Sequence, residues 1–239
     1  MKNEPVQYTL KDQVATIRID DGKRNALSPP ILRDIRSAFD RAEADEAIVI
    51  LTGREEVFSA GFDLNVMKRG GAEAIGMLRL GFRLPARVLS YPYPVIAACS
   101  GHSMAMGVFL MLSADYVIGS RGDFKIAANE VAIGMTIPRV AAAMLQHRLR
   151  PNAYQRAVVL AEHFDVESAL HAGFFDELVE PSELMSRAAS LATEFKKLDA
   201  YAHKKSKRQI RGPLIRKLRF YVPLDLISAM FAGLRRARR

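Results

Sequence analysis

The chain has 239 residues, of which 49% are hydrophobic, and a formal net charge of +9. This size and composition are typical of a globular protein with one substantial core and exclude an intrinsically disordered chain. Residues 196–239 carry fourteen Lys and Arg against two acids, whereas residues 1–195 carry twenty-one against twenty-four. We therefore expect a core of residues 1–195 and a basic, helical C-terminal region of residues 196–239.

The sequence indicates neither a signal peptide nor a membrane span. The longest strongly apolar stretch, Met104 to Leu112, is too short to cross a bilayer, and the charged residues Lys2 and Glu4 do not lead into a long apolar region. The single cysteine, Cys99, cannot form an internal disulfide and follows an apolar run. We expect a cytoplasmic protein with Cys99 in its core.

Strands alternate with helices along the first part of the chain. Residues 8–10 and 14–19 alternate in polarity like two paired strands, and apolar residues recur at helical spacing over residues 29–43. The continuous apolar run Ile48 to Thr52 predicts a buried parallel strand. Val66 to Tyr91 contains four glycines and one proline, which predicts a mobile loop that passes into a helix.

The second part continues the same alternation. Val95 to Cys99 predicts another buried strand, and Met106 to Leu112 is apolar on every side, which predicts a helix inside the core. Helices are predicted over residues 138–149 and 152–162, and a last strand over residues 175–179. This order of elements predicts an α/β architecture.

Two turns of small residues follow the two buried strands. The first lies in the sequence Phe58-Ser-Ala-Gly-Phe-Asp-Leu64 and the second in Gly101-His-Ser-Met-Ala-Met-Gly107. Backbone N–H groups of two such turns, aimed at one point, form an oxyanion hole. Small residues are needed there because a substrate carbonyl must approach the main chain closely.

On these motifs the sequence resembles the crotonase superfamily, the group of enoyl-CoA hydratases and isomerases, from about Val14 to about Val179. Further matching segments are Asn25-Ala26-Leu27, Leu51-Thr52-Gly53, Pro94 to Ala98, Ala114-Asp115 and Asn129 to Gly134. The resemblance implies a spiral of ββα units with a C-terminal α-helical region that assembles trimers.

The resemblance places the two oxyanion donors at the amides of Phe62 and Met106. The family usually has glycine at the second position, but a residue that opens a helix has a negative φ, which methionine adopts without strain. The family's catalytic glutamate corresponds to Glu130, whose apolar neighbours are expected to raise its pKa. Phe109 stands where hydratases of this family usually carry a second glutamate.

The resemblance also implies a binding site for the coenzyme A part of the substrate. Its expected residues are Lys23, Arg24, Asn25, Ala26, Ala60, Asp63, Leu64 and Phe109. For residues 23–26 the alternative is an ordinary charged turn. No metal site or separate cofactor is expected, because the sequence contains no metal-ligating or phosphate-loop motif.

Moving a double bond needs one group that takes a proton from one carbon and returns it to another, whereas hydration benefits from two acids. With Glu130 alone, the sequence favours an isomerase that converts 3-enoyl-CoA to 2-enoyl-CoA. Asp63 and Asp115 are the other acids considered, and structural roles are expected for both. Two alternatives stay open: a hydratase, and a non-catalytic homologue that binds acyl-CoA or RNA.

The basic tail has three interpretations. Its cations form a solvated helical face, bind the phosphates of coenzyme A, or attract RNA or an anionic membrane; at least one crotonase relative binds RNA. Its apolar residues would leave an exposed patch on an isolated domain; they are Phe220, Tyr221, Leu224, Ile227, Met230 and Phe231. We therefore expect a homotrimer or a dimer of trimers.

Overall fold

The computed structural model describes the backbone of residues 4–237 and the side chains of residues 4–232. The elements of the first part are β1 (Val6–Lys11), β2 (Val14–Ile19), β3 (Ala26–Leu27), α1 (Pro29–Ala44), β4 (Ile48–Thr52), β5 (Glu56–Ser59), β6 (Gly61–Phe62), α2 (Leu64–Arg69) and α3 (Gly71–Leu89).

The elements of the second part are β7 (Val95–Cys99), β8 (Gly101–Met104), α4 (Met106–Met111), β9 (Tyr116–Ser120), β10 (Ile126–Ala127), α5 (Arg139–Arg148), α6 (Pro151–Val159), α7 (Val166–Ala172), β11 (Glu177–Val179), α8 (Leu184–Phe195) and α9 (Ala200–Ala237). Short 3₁₀ turns lie at Val131–Ile133 and Pro181–Glu183. None of the helices in the described part of the chain is long and apolar enough to span a membrane.

The strands form a spiral of ββα units. The large sheet has the order β1-β2-β4-β7-β9-β11, and only its β1–β2 pair is antiparallel. A small parallel sheet has the order β10-β8-β5. In the units β4–β5, β7–β8 and β9–β10, the first strand therefore joins the large sheet and the second joins the small one, before the chain enters a helix. This confirms the predicted α/β fold.

The central strands of the large sheet are buried on both faces. Every residue of β4 and β7 is buried, as expected for parallel strands between two layers. Val49 and Leu51 belong to the main core with α1, α3 and α4, whereas Ile48 and Ile50 point to a second core against α8. Cys99 at the end of β7 is buried, and burial raises the pKa of its thiol to about 12, which confirms the prediction of a core cysteine.

Of the prediction for Val66 to Tyr91, the helix is confirmed and the mobile loop before it is wrong. The segment forms α2 and α3, which are separated by Gly70 at φ +68°. Ala74, Met77 and Phe82 are among the buried residues of α3, so one face of a glycine-containing helix packs into the main core. This packing outweighs the low helix propensity of the glycines.

The second glycine turn is also more regular than predicted. Gly101–Met104 is the strand β8, which pairs with β10 and β5 at the centre of the small sheet. A Cβ atom at Gly101 would overlap the backbone of Glu56 on β5, so glycine is required there by strand contact.

The basic C-terminal segment folds back onto its own core. Helix α9 packs mainly against α3 and α5, and its residues Ile215, Leu218, Val222 and Leu226 lie in the main core. Near its start, Lys207 and Arg211 pair with Asp115 at 2.6 and 2.9 Å. Two of the tail's cations are therefore structural and are not part of a solvated face.

Candidate active site

The two small-residue turns lie against each other. A Cβ atom at Gly61 would stand 2.9 Å from the carbonyl oxygen of Met104 and 3.2 Å from the amide nitrogen of Met106. Gly61 also has φ +84°, in the left-handed region that favours glycine. On the other side of the contact, a Cβ atom at Gly107 would stand 2.6 Å from the carbonyl oxygen of Ser59. The missing side chains let the two predicted donor segments approach backbone to backbone.

Met106 is the first residue of α4, where helix amides have no intrahelical acceptor. Among the described residues, the non-glycine positions with positive φ do not include Met106, so its predicted ordinary backbone conformation is confirmed. The unusual residue is its neighbour Ala105, at φ +47° and ψ −122°. Ala105 is held by a hydrogen bond from its N–H to the carbonyl oxygen of Ala127, at 2.8 Å. Backbone strain of this kind, about 1–3 kcal/mol, is concentrated at functional sites.

The side chains of both predicted donors converge on Gly81 of α3, which the sequence reasoning missed. A Cβ atom at Gly81 would overlap the ring of Phe62 and stand 3.6 Å from the sulfur of Met106. The Phe62 ring also packs edge-on against Phe82, with ring centroids 5.7 Å apart. A glycine inside an otherwise helical pattern often has such a packing reason, and this is the signal that could have identified Gly81.

Glu130 is buried, with 6% of its surface exposed. It follows β10, whose Ala127 is paired with Met104 two residues before Met106. Its Oε2 atom is buried and has no hydrogen-bond partner among the residues that the structure describes. Burial raises the pKa of this carboxyl group from its usual 4.5 to about 7. Glu130 is thus a buried acid that lies three residues after β10, the strand that pairs with β8 of the second turn, and its Oε2 atom is without a partner in the described part of the chain.

The apolar neighbours of Glu130 in sequence are only partly buried. Val131 and Ile133, which follow it, are 43% and 45% exposed. The preceding residues Ala127 and Ala128 are buried instead. The apolar residues before Glu130 are therefore part of the protein interior, whereas those after it are largely at the surface.

The other acids near the predicted site have structural partners. Asp63 caps α2 by accepting a hydrogen bond from the N–H of Asn65 at 2.8 Å. Asp115 accepts from the N–H of Val95 at 2.7 Å in addition to its ion pairs with α9. Phe109 is buried in the main core one turn after Met106. The structure describes no cluster of His, Cys, Asp or Glu within residues 4–232 that could hold a metal ion.

The family model of enoyl-CoA hydratase/isomerase matches residues 9–225, which is most of the chain. The chain belongs to the enoyl-CoA hydratase/isomerase family. This agrees with the spiral of ββα units and with the contact between the two small-residue turns.

Individual relatives carry both activity names. The chain is similar to a probable enoyl-CoA hydratase, EchA17, from Mycobacterium avium, with 33% identity over 209 residues that cover 84% of this chain and 80% of the relative. The structure is similar to an enoyl-CoA hydratase/isomerase family protein from Pseudomonas syringae, with 44% identity, a TM-score of 0.91, and coverage of 93% and 96%. It is equally similar in sequence to an enoyl-CoA isomerase from Mycobacterium tuberculosis, at 44% identity, a TM-score of 0.88, and coverage of 92% and 96%.

Residues 23–26, the segment predicted to surround coenzyme A, lie directly beside the first donor turn. Strand β3 pairs with β6, so that Ala26 is opposite Gly61, and the N–H of Ala60 donates to the carbonyl oxygen of Arg24 at 2.9 Å. Lys23 and Arg24 are exposed to solvent. The structure therefore brings residues 23–26 and 60–62 together.

The buried side chain of Asn25 anchors this segment to the protein interior by hydrogen bonds. It is fully buried at φ +52°, and its side-chain amide donates to the carbonyl oxygens of Ile19, Val57 and Phe58 at 2.8 to 3.2 Å. Its side chain is thus committed to protein contacts. Leu64, by contrast, is 56% exposed at the start of α2 and is free to contact a ligand.

Proposed function

We propose that this protein is an enoyl-CoA isomerase that converts 3-enoyl-CoA to 2-enoyl-CoA. The observation that carries the proposal is the buried carboxyl group of Glu130, whose Oε2 atom has no hydrogen-bond partner among the described residues, combined with Phe109 at the place of the second glutamate of hydratases. The substrate supplies the coenzyme A, and the proposed chemistry uses no further cofactor. The proposed compartment is the cytoplasm.

In the proposed mechanism, the amides of Phe62 and Met106 hold the thioester oxygen. The Glu130 carboxylate takes a proton from C2, the double bond moves from C3=C4 to C2=C3 through an enolate, and the same carboxyl group returns the proton to C4. Hydrogen bonds to the oxygen stabilise the charge that develops there; in other enzymes the loss of one such donor costs about 3–4 kcal/mol.

The pKa of Glu130 suits this task. A shuttle must be a base in the first half of the reaction and an acid in the second, and proton transfer is most efficient when the pKa lies near the working pH. Burial brings the pKa of Glu130 to about 7, so both forms are populated near neutrality.

Hydratase activity is the second candidate, because a curated relative is described as a probable enoyl-CoA hydratase. To separate the two, the protein is incubated with 3-enoyl-CoA and with 2-enoyl-CoA of several chain lengths. We expect isomerisation of the first and no 3-hydroxyacyl product from the second. Hydration without isomerisation would replace the proposal with the hydratase.

The role of Glu130 is tested with Glu130→Gln, which keeps the shape and removes the base. We expect isomerase turnover to fall about a hundredfold or more. The matched control is Glu55→Gln, since Glu55 is exposed and its side chain makes no ion pair with the residues that the structure describes. Unchanged turnover in Glu130→Gln would remove this residue from the mechanism.

A homotrimer or a dimer of trimers is part of the proposal. Along α9, Phe220, Ile227, Met230 and Phe231 are 50–66% exposed on the single chain, a patch that a neighbouring subunit would cover. Light scattering on the intact chain tests this directly, and a monomer at micromolar concentration would contradict it.

The non-catalytic alternative is a protein that binds acyl-CoA or RNA without turnover. Turnover of an enoyl-CoA, together with no salt-dependent affinity for RNA, would exclude it.

A further inference from the structure

A cavity of about 450 Å³ lies between α1, α3 and α9. Five arginines line it: Arg36 from α1, Arg79, Arg83 and Arg87 from α3, and Arg219 from α9. Its apolar lining includes Leu32, Leu80, Leu84 and Val222. No acidic residue is among the lining residues in the described part of the chain. The cavity therefore combines a strong positive charge with an apolar surface.

Only two of the five arginines have acidic partners. Arg87 pairs with Asp40 at 2.9 Å and with Glu43 at 2.6 Å, and Arg36 lies 3.9 Å from Asp40. Arg79, Arg83 and Arg219 have neither an ion pair nor a side-chain hydrogen bond among residues 4–232.

Three guanidinium groups from two helices thus face one cavity without a counter-charge.

Helix electrostatics alone do not account for this arrangement. A cation stabilises a helix only within about the last turn, whereas Arg79 lies ten residues before Leu89, where α3 ends. Like charges four residues apart, such as Arg79 and Arg83, destabilise a helix slightly. A bound anion would convert this repulsion into attraction.

The cavity is separate from the candidate active site. Gly81 faces Phe62 and Met106, and Arg79 and Arg83 are each two residues away from it on the same helix. Two residues correspond to a rotation of about 200° around the helix axis. The arginines therefore lie on the side of α3 opposite to the two donor residues.

We propose that this cavity binds a phosphorylated organic molecule. The planar guanidinium groups of Arg79, Arg83 and Arg219 match the geometry of phosphate oxygens and form charge-assisted, bidentate hydrogen bonds. Leu80, Leu84 and Val222 contact the apolar part of the ligand. The volume lies within the range of about 300–1,000 Å³ that is usual for small-molecule sites. Because α9 contributes to the lining, the ligand also ties this helix to α1 and α3.

The test uses calorimetric titration of the full chain at low ionic strength with inorganic pyrophosphate and with geranyl diphosphate. We expect both probes to bind, and geranyl diphosphate to bind more tightly because it also covers the apolar lining. Absence of binding by both probes would overturn the proposal. Equal affinity for the two probes would overturn the role of the apolar residues.

The site is located with the double variant Arg79→Gln/Arg83→Gln and with Arg219→Gln alone. We expect the affinity for pyrophosphate to fall about tenfold or more in the double variant, because two charge-assisted contacts are lost. The side chains of all three arginines are exposed, so the variants are expected to fold. Unchanged affinity in both variants would overturn the proposal.

Two controls distinguish this site from other cationic surfaces. Arg33→Gln/Arg150→Gln removes two exposed arginines outside the cavity, and Lys23→Gln/Arg24→Gln removes the two cations of the predicted coenzyme A loop. We expect the first control to change the affinity by no more than about twofold, the scale of screened surface charge. The second control removes any binding of the probe at the predicted coenzyme A loop, and we expect the Arg79→Gln/Arg83→Gln substitutions to lower the affinity in that background as well. An equal loss in the first control, or a loss confined to the second, would overturn the proposal.

Discussion

The ring of Phe62 occupies the space that a side chain at Gly81 would need. Phe62 belongs to the first donor turn and Gly81 to the middle of α3, so this contact joins the oxyanion segment to a helix nineteen residues further along the chain. The same glycine is in contact range of Met106, the second predicted donor. A backbone position in α3 thus fixes where both donor side chains lie.

Gly81→Ala should therefore damage the site. The added methyl group displaces the Phe62 ring, and we expect kcat/KM to fall about tenfold or more, since small misplacements of catalytic groups have large effects on rate. Overpacking should also lower the free energy of unfolding by about 1–3 kcal/mol. Steady-state kinetics and urea denaturation measure the two effects.

The matched control is Gly76→Ala in the same helix. Nothing lies within 4 Å of a Cβ atom at Gly76, so the substitution should increase stability by about 0.4–1 kcal/mol and leave kcat/KM unchanged. A similar loss of activity in both variants would show that α3 senses any change of helix propensity and would contradict the specific role of Gly81.

Glu130→Gln should change how stability depends on pH. Burial raises the pKa of Glu130 from 4.5 in the usual case to about 7 in the fold, so the folded protein binds more protons than the unfolded chain between these values. Its contribution to stability is thus fully present below about pH 4.5 and is lost as the pH rises through about 7.

The contribution of Glu130 to the free energy of unfolding falls by about 3 kcal/mol between pH 4.5 and 7. Over this interval, the free energy of unfolding of Glu130→Gln should rise by about this amount relative to that of the wild type. The free energy of unfolding of Glu55→Gln should change with pH as it does in the wild type. Chemical denaturation at pH 5 and pH 8 measures it. Parallel pH profiles for the wild type and Glu130→Gln would show that Glu130 is solvated like an ordinary surface acid.

The pH dependence of turnover gives an independent check on the same group. Abstraction of the proton requires the carboxylate, so kcat/KM for a 3-enoyl-CoA should rise with pH through an apparent pKa near 7, in line with the raised pKa of Glu130. The profile is recorded from pH 5 to pH 9 under conditions in which the protein stays folded. A midpoint near 4.5 would argue against Glu130 as the base.

Asp115→Asn should loosen the attachment of α9. Lys207 and Arg211 are largely buried and share this one carboxylate, and burial already lowers the pKa of Lys207 to about 8. Removing one partner of a buried pair typically costs about 3–5 kcal/mol. Urea denaturation and limited proteolysis within α9 measure the change.

Asp34→Asn is the control for this substitution, since Asp34 is exposed on α1 and has no ion pair in the described part of the chain. Its stability should lie within about 0.5 kcal/mol of the wild type. If Asp115→Asn were as stable as this control, the ion pairs would not be what holds α9 on the core.

Elements with a local signal could be predicted from the order of amino acids alone. The alternation in β1 and β2, the apolar runs of β4 and β7, and the all-apolar α4 were each readable, because backbone geometry imposes a period of two or 3.6 residues on neighbouring side chains. The two small-residue turns were readable from their residue types, because a close approach to the main chain requires small side chains.

Which of these elements contact one another depends on packing in three dimensions and could not be predicted. The tertiary structure placed Phe62 on Gly81, brought the β10 segment with Glu130 beside β8, and folded α9 back onto its own core. It also showed that the glycines of residues 66–91 are compatible with two helices. These features depend on packing between residues far apart in the chain, where burial outweighs local propensity and leaves no periodic trace in the sequence.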